Sequence, residues 1–288
     1  MRRALAVAFL VILLVVVAAT LTPPPRSTEG PHVRPLLPRA SLLRIAGKAF
    51  LPVVADYYWL EAIQATGKAN TAAEYLDLSD YAQLVTDLDP DFAYVYQFAG
   101  VLIPVNLGRE TWVNTAESTA IIEKGVARFP RALFLRIILA YNYSYFAKEY
   151  VRAARSLEET AKLPGAPGWI SLLATRLYAQ GGAFDAASAF ANQLALSGDP
   201  QTRAIFERRQ KEIALEQILR ALDTKVAAFH EHEGRMPKDL GELVQTGLIS
   251  AVPQDPLGGQ IGLGDDGRTY STSQEHRLEV YDPAKDRR

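Results

Sequence analysis

The chain opens with eighteen uncharged positions, Ala4 to Leu21, dominated by Val, Leu, Ile and Ala and closed by Thr22-Pro23-Pro24-Pro25. At about 1.5 Å per helical residue this run spans roughly 27 Å, close to the hydrocarbon thickness of a bilayer. Residues 1–21 therefore read as an N-terminal transmembrane anchor. Val17-Ala18-Ala19 also offers small residues where a signal peptidase could cut, so a cleaved secretory signal is the alternative. Residues 22–38 hold six of the 17 prolines and form a stiff linker. From Arg39 the period changes. Leu42, Leu43, Ala46, Phe50, Val53, Val54, Tyr57 and Leu60 recur at three- and four-residue steps, which predicts helix with a kink or break at Pro52.

The stretch Ala140-Tyr-Asn-Tyr-Ser-Tyr-Phe-Ala-Lys-Glu-Tyr150 alternates tyrosines as a half-buried strand would. A wider window favours helix: Phe134, Ile137, Ile138, Tyr141 and Tyr145 make one stripe at helical spacing, with Tyr143 about 200° from Tyr141. That stripe is expected in the core and Tyr143 outside it. A second stripe follows in Tyr150, Ala153, Ala154, Leu157 and Ala161, and a further pair runs Trp169 to Gln180, turns at Gly181-Gly182 and resumes at Phe184. Segments close at Pro90, Pro130, Pro167 and Pro200, at spacings of 40, 37 and 33 residues, the period of helix-pair repeats. The expected fold is mostly α: a helical-hairpin repeat array (α-solenoid) over residues 39–200 and a long capping helix over 201–234, in which Leu215, Leu219, Leu222, Val226 and Phe229 recur. Residues 235–288 form a small C-terminal α+β module and tail.

The early aromatic in the first helix of each pair, the Tyr about seven residues later, the alanines of the second helix and the closing proline resemble the tetratricopeptide repeat over residues 75–200. Ile138 stands where that family usually has Gly. The phrases "DYYWLEAIQATGKA", "LVTDLDPDFAYVYQFAG", "IIEKGVARFP" and "LPGAPGWISLLA" are similar to repeat proteins of deltaproteobacterial type. From Leu215 to Thr272 the order of long helix, P-x-D-L-x-x-L, V-P-x-D-P-x-G and Tyr270-Ser271 is similar to the globular end of type II secretion major pseudopilins. The N-terminus lacks that family's processing motif, so the likeness implies a borrowed module, with calcium held by loop aspartates Asp255, Asp265 and Asp266 as the family-based option.

Charge narrows the partners. Setting Arg2 and Arg3 aside leaves 29 basic against 32 acidic residues, so no basic field invites nucleic acid. Those two arginines hold the N-terminus in the cytoplasm, which exports the rest to the periplasmic side of a bacterial inner membrane, or to the soluble periplasm if the signal is cleaved. The absence of cysteine excludes thiol catalysis and thiolate metal sites. Gly262-Leu-Gly264-Asp-Asp-Gly267 spells G-x-G-x-x-G, but its aspartates would repel phosphate, and a hairpin turn fits better. His230 and His232 lie two apart on a helix and face different sides, which suits a solvated helix end. No G-x-S-x-G, H-E-x-x-H or Walker loop is present, so neither catalysis nor a cofactor is expected.

Three aromatic sets remain: Tyr57-Tyr58-Trp59, Tyr94/Tyr96/Phe98 and Tyr141/Tyr143/Tyr145. Such residues usually form interhelical core. Tyr143, with Tyr96 and Asn142 beside it, is the expected contact if the array carries a partner groove. The functional expectation is a membrane-anchored, periplasm-facing scaffold that holds protein partners, subunits of a membrane complex, with membrane attachment through residues 4–21. The alternatives are a structural subunit of a secretion- or pilus-type machine engaged through the C-terminal module, and a glycan-binding protein.

Overall fold

The computed structural model describes residues 32–108, 111–197 and 199–281. The expected membrane segment lies outside them, and among the described residues no helix is long and apolar enough to cross a membrane. The chain divides into a unit ending at Leu36 and a second running from Leu37 onward, to which every described helix and strand belongs.

Helix is the dominant structure. α1 covers Ala40–Gly47, and a short 3-10 turn at Lys48–Phe50 leads into α2, Leu51–Thr66. Pro52 sits in the first turn of α2, where its missing N–H costs nothing, so the expected interruption falls just before it. α3 (Ala72–Leu88) starts with a capping box: Thr71 Oγ1 accepts from the Glu74 amide at 3.3 Å, and Glu74 Oε2 accepts from the Thr71 amide at 3.0 Å. Each segment between the marker prolines then holds two helices. These are α4 (Ala93–Leu102) with α5 (Thr115–Arg128), α6 (Leu133–Tyr141) with α7 (Tyr150–Ala161), and α8 (Trp169–Gln180) with α9 (Phe184–Ser197). Successive helices from α2 to α10 pack against one another.

Two contacts recur along these pairs. Tyr143 donates to Glu123 Oε1 at 2.7 Å, and thirty-five residues on Tyr178 donates to Glu158 Oε2 at 2.7 Å. Tyr96 donates to the carbonyl of Pro90 at 3.1 Å, and Arg136 Nε reaches the carbonyl of Pro130 six residues back in the same way. The main core threads the pairs through Trp59, Leu78, Val85, Val95, Ile121, Leu135, Leu157, Ile170 and Ile213. Small residues set the closest approaches. A Cβ on Gly100 would lie 2.2 Å from Ile122 Cδ1, and one on Gly125 would lie 2.9 Å from Tyr96 Cβ.

α10 (Pro200–Glu233) begins with Pro200, and Asp199 Oδ1 accepts from the amides of Gln201 at 2.9 Å and Thr202 at 3.2 Å. It ends at Gly234, whose φ of 69° is left-handed. Its two halves belong to different packings. Phe206 packs with Ala191 and Ala195, while Leu222, Val226 and Phe229 form a second core with Leu240 and Leu243 of α11 (Leu240–Gln245). The expected division at residue 235 thus runs through a shared core. β1 (Ile261–Leu263) and β2 (Thr269–Ser271) make one antiparallel pair in the register Gly262↔Tyr270. The G-x-G-x-x-G stretch is the hairpin between them, closed by the Gly264 amide donating to the Arg268 carbonyl at 2.8 Å.

The tail returns to the helices. Arg277 bonds Glu216 Oε1 and Asp223 Oδ2, each at 2.7 Å, on α10. Tyr281 donates its amide to the carbonyl of Gln180 at 2.7 Å and places its ring 5.1 Å from that of Tyr150.

Candidate functional site

The residues expected to face a groove do not face one. Tyr96 is fully buried, Asn142 is 1 % exposed and Tyr143 is 6 % exposed. The inward face of α6 is shifted from the stripe expected: Leu135, Leu139, Asn142 and Tyr143 point in, Ile137 and Ile138 are half-buried against the core, and Phe134, Tyr141 and Tyr145 are exposed. Asn142 Nδ2 donates to Ser118 Oγ at 2.9 Å, and Ser118 Oγ donates to the Gly100 carbonyl at 2.6 Å, so the polar amide is satisfied inside the stack. Tyr143 lies under the Arg152 guanidinium, 4.0 Å from its ring centre, and Arg152 bridges Glu123 and Glu149 at 2.9 Å each. Burial pushes the Tyr143 hydroxyl pKa well up, and the Glu123 carboxylate that accepts its hydrogen bond pushes it further.

What α6 presents outward is a set of rings. At Asn142–Phe146 the helix widens into one π turn, closed by the Ala147 amide donating to the Asn142 carbonyl at 3.1 Å. Tyr141 and Tyr145 stack with centroids 5.0 Å apart and planes at 16°, and Phe146 stands edge-on to both at 5.5 and 5.4 Å. Trp112 joins them from the α4–α5 loop, 5.4 Å from Phe146 and 6.4 Å from Tyr145. That loop is pinned: Val105 and Val113 exchange both backbone hydrogen bonds, and Asn114 Nδ2 donates to the Ala72 carbonyl at 2.7 Å. Lys148 closes the rim with its ammonium 5.5 Å from the Tyr145 ring centre. Trp112, Tyr141 and Tyr145 remain 40, 48 and 45 % exposed, so the cluster is held in place from below and open above. The sequence carried a signal for it, because Tyr141 and Tyr145 stand at i and i+4 beside a competing apolar stripe.

The other aromatic sets divide between core and surface. Trp59 is buried against Phe92, Tyr94 and Phe98, whereas Tyr57 and the outer part of Tyr94 are exposed.

The calcium candidates do not converge. Among the described residues no group of three His, Asp or Glu side chains is placed to hold a metal. Asp255 is occupied as a loop organiser: it accepts from the amides of Leu257 at 2.7 Å and Gly259 at 3.1 Å, from the Ser273 hydroxyl at 2.6 Å and from the Ser271 hydroxyl. Asp266 accepts the Arg268 amide within the hairpin turn. A cleft of about 620 Å³ lies between α10 and the tail, lined by Glu216, Arg220, Asp223, Arg268, Arg277 and Glu279. Arg277 pairs with both Glu216 and Asp223 there, so the ion pairs join the tail to α10 across the cleft.

No protein-family model, curated protein or solved structure matches this chain.

Proposed function

We propose that this protein is a membrane-tethered scaffold on the exported side of a bacterial inner membrane, whose tetratricopeptide-like helix pairs stack as an α-solenoid and hold a partner protein. The supporting observation is the open ring cluster of Trp112, Tyr141, Tyr145 and Phe146 on a rigid base. Aromatic side chains supply large contact area at low entropic cost and are enriched at the anchoring centres of protein interfaces. The 35-residue recurrence of the Tyr–Glu bond supports the repeat reading, because stacking like units places like contacts at a fixed interval. Tethering by residues 4–21 raises the effective concentration of that surface near other membrane proteins. The reading calls for no cofactor.

Crosslinking in intact membranes followed by purification tests it. The wild-type chain is expected to retain a defined membrane-complex partner, and Trp112→Ala with Tyr145→Ala is expected to lose it while unfolding at nearly the wild-type temperature. Recovery of the bare protein from wild-type membranes overturns the proposal. A machine subunit engaged through the C-terminal module would instead keep its partner in this double variant. Deletion of residues 235–281 is a poor discriminator, since it would uncover Leu222, Val226, Phe229 and Tyr150.

A further inference from the structure

From Gly30 to Ala55 the chain has no acidic residue, while Arg34, Arg39, Arg44 and Lys48 fall within the same stretch. α1 contains no buried residue. Ala40, Leu43 and Gly47 turn partly inward, and the opposite side carries Leu42, Ile45 and Ala46, with Arg44 and Lys48 along its flank. The outward apolar row continues through Phe50 to Val53, Tyr57 and Leu60 of α2; Ile45 and Phe50 are 72 and 71 % exposed. The periodic residues thus divide, with Leu43 and Val54 packed toward the core and Leu42, Phe50, Val53, Tyr57 and Leu60 facing outward.

An apolar row of this length marks a contact surface. We propose that α1, the 3-10 turn and the first turn of α2 lie in the headgroup region of an anionic lipid bilayer, as a second membrane contact distinct from the N-terminal segment. Charge selects this occupant. An acid-free apolar face flanked by basic residues fits anionic headgroups over acyl chains, whereas a second copy docked on the same face would bring Arg39, Arg44 and Lys48 against their like. Chain length permits it: eighteen residues separate Leu21 from Ala40, a tether of at most roughly 60 Å. Asp56 is exposed beside Tyr57 and limits the insertion to a shallow one that ends near the start of α2. Arg44 also donates to the carbonyl of Asp87 on α3, which fixes α1 to the helical stack and lets the contact orient the whole unit.

The inference rests on the membrane reading above, and one experiment separates the two. The native chain has no cysteine, so a single introduced cysteine carries a spin label without background. Full-length Ile45→Cys, Phe50→Cys and, for comparison, Lys225→Cys on α10 are reconstituted with phosphatidylglycerol–phosphatidylcholine vesicles and with phosphatidylcholine alone. On the anionic vesicles, labels at 45 and 50 are expected to show a several-fold rise in collisions with oxygen relative to a nickel chelate, and the label at 225 to stay aqueous. Adding Arg39→Glu and Lys48→Glu is expected to return the first two labels to water while the chain still floats with the vesicles. Aqueous labels at 45 and 50 on a chain that floats overturn this inference alone. So does shielding from both probes, which would mean a protein cover. A full-length chain that does not float overturns the tether as well.

Discussion

Gly100 has no side chain because Ile122 occupies the space one would need. A Cβ there would meet Ile122 Cγ1 at 2.4 Å and Cδ1 at 2.2 Å, and Ile122 is itself fully buried. Gly100→Ala is therefore expected to destabilise by about 1–3 kcal/mol in urea unfolding, with part recovered when Ile122→Val is added. Asp255 supports a prediction of a different kind. Burial alone would raise its pKa, but hydrogen bonds from the Ser271 and Ser273 hydroxyls and the Leu257 and Gly259 amides outweigh it, and the net value falls below the ordinary aspartate range. A carboxyl lowered in the folded state stabilises fully above its unfolded pKa, near 4, and loses that contribution as pH falls through the folded value. Asp255→Asn is expected to melt earlier than wild type at pH 7, and the gap between their melting temperatures is expected to narrow below pH 4. A gap that stays constant to pH 3 contradicts the assignment.

At the scale of elements, the π turn decides which side chains of α6 reach the surface. Five residues take the place of four at Asn142–Phe146, and this brings Phe146 edge-on to the Tyr141–Tyr145 stack. Deleting Ser144 is expected to restore an ordinary turn, carry the ring of Tyr145 away from Tyr141, and weaken the near-ultraviolet circular dichroism. The helices were legible in the sequence, because periodicity and the closing prolines mark two per segment. The face of α6 was not. Phe134–Tyr141–Tyr145 and Leu135–Leu139–Tyr143 are both helical stripes, and only the neighbouring Ser118 and Glu123 show that Asn142 and Tyr143 are the ones with hydrogen-bond partners on the adjacent helix. The place of Trp112 beside Tyr145 and Phe146 carries no sequence signal, because it comes from a loop where no periodicity identifies a neighbour. Arg277 was invisible for a related reason: its partner Glu216 lies 61 residues away, and a lone arginine near the end of a chain carries no local signal.

At the scale of the whole molecule, the two cores are held together by α10 and by the returning tail. Glu216 is almost fully buried, and Arg277 supplies its countercharge through two hydrogen bonds of 2.7 and 3.2 Å. Arg277→Ala leaves that carboxylate without its salt-bridge partner and is expected to cost about 3–5 kcal/mol. If the tail joins the two packings, the variant's unfolding also separates into two transitions, with amides around Leu240–Leu243 exchanging before those around Ile121–Leu135. A single transition at lower temperature would instead mean that α10 alone suffices to couple them.

The docking of Tyr281 against Tyr150 and Gln180 also sets an order of events in the cell. Those two residues lie on α7 and α8, yet their cover comes from a residue about a hundred or more positions further along the chain. The helix pairs can assemble in chain order, but the edge of Tyr150 stays uncovered until residue 281 has emerged. A chain cut before Tyr281 therefore leaves that edge bare.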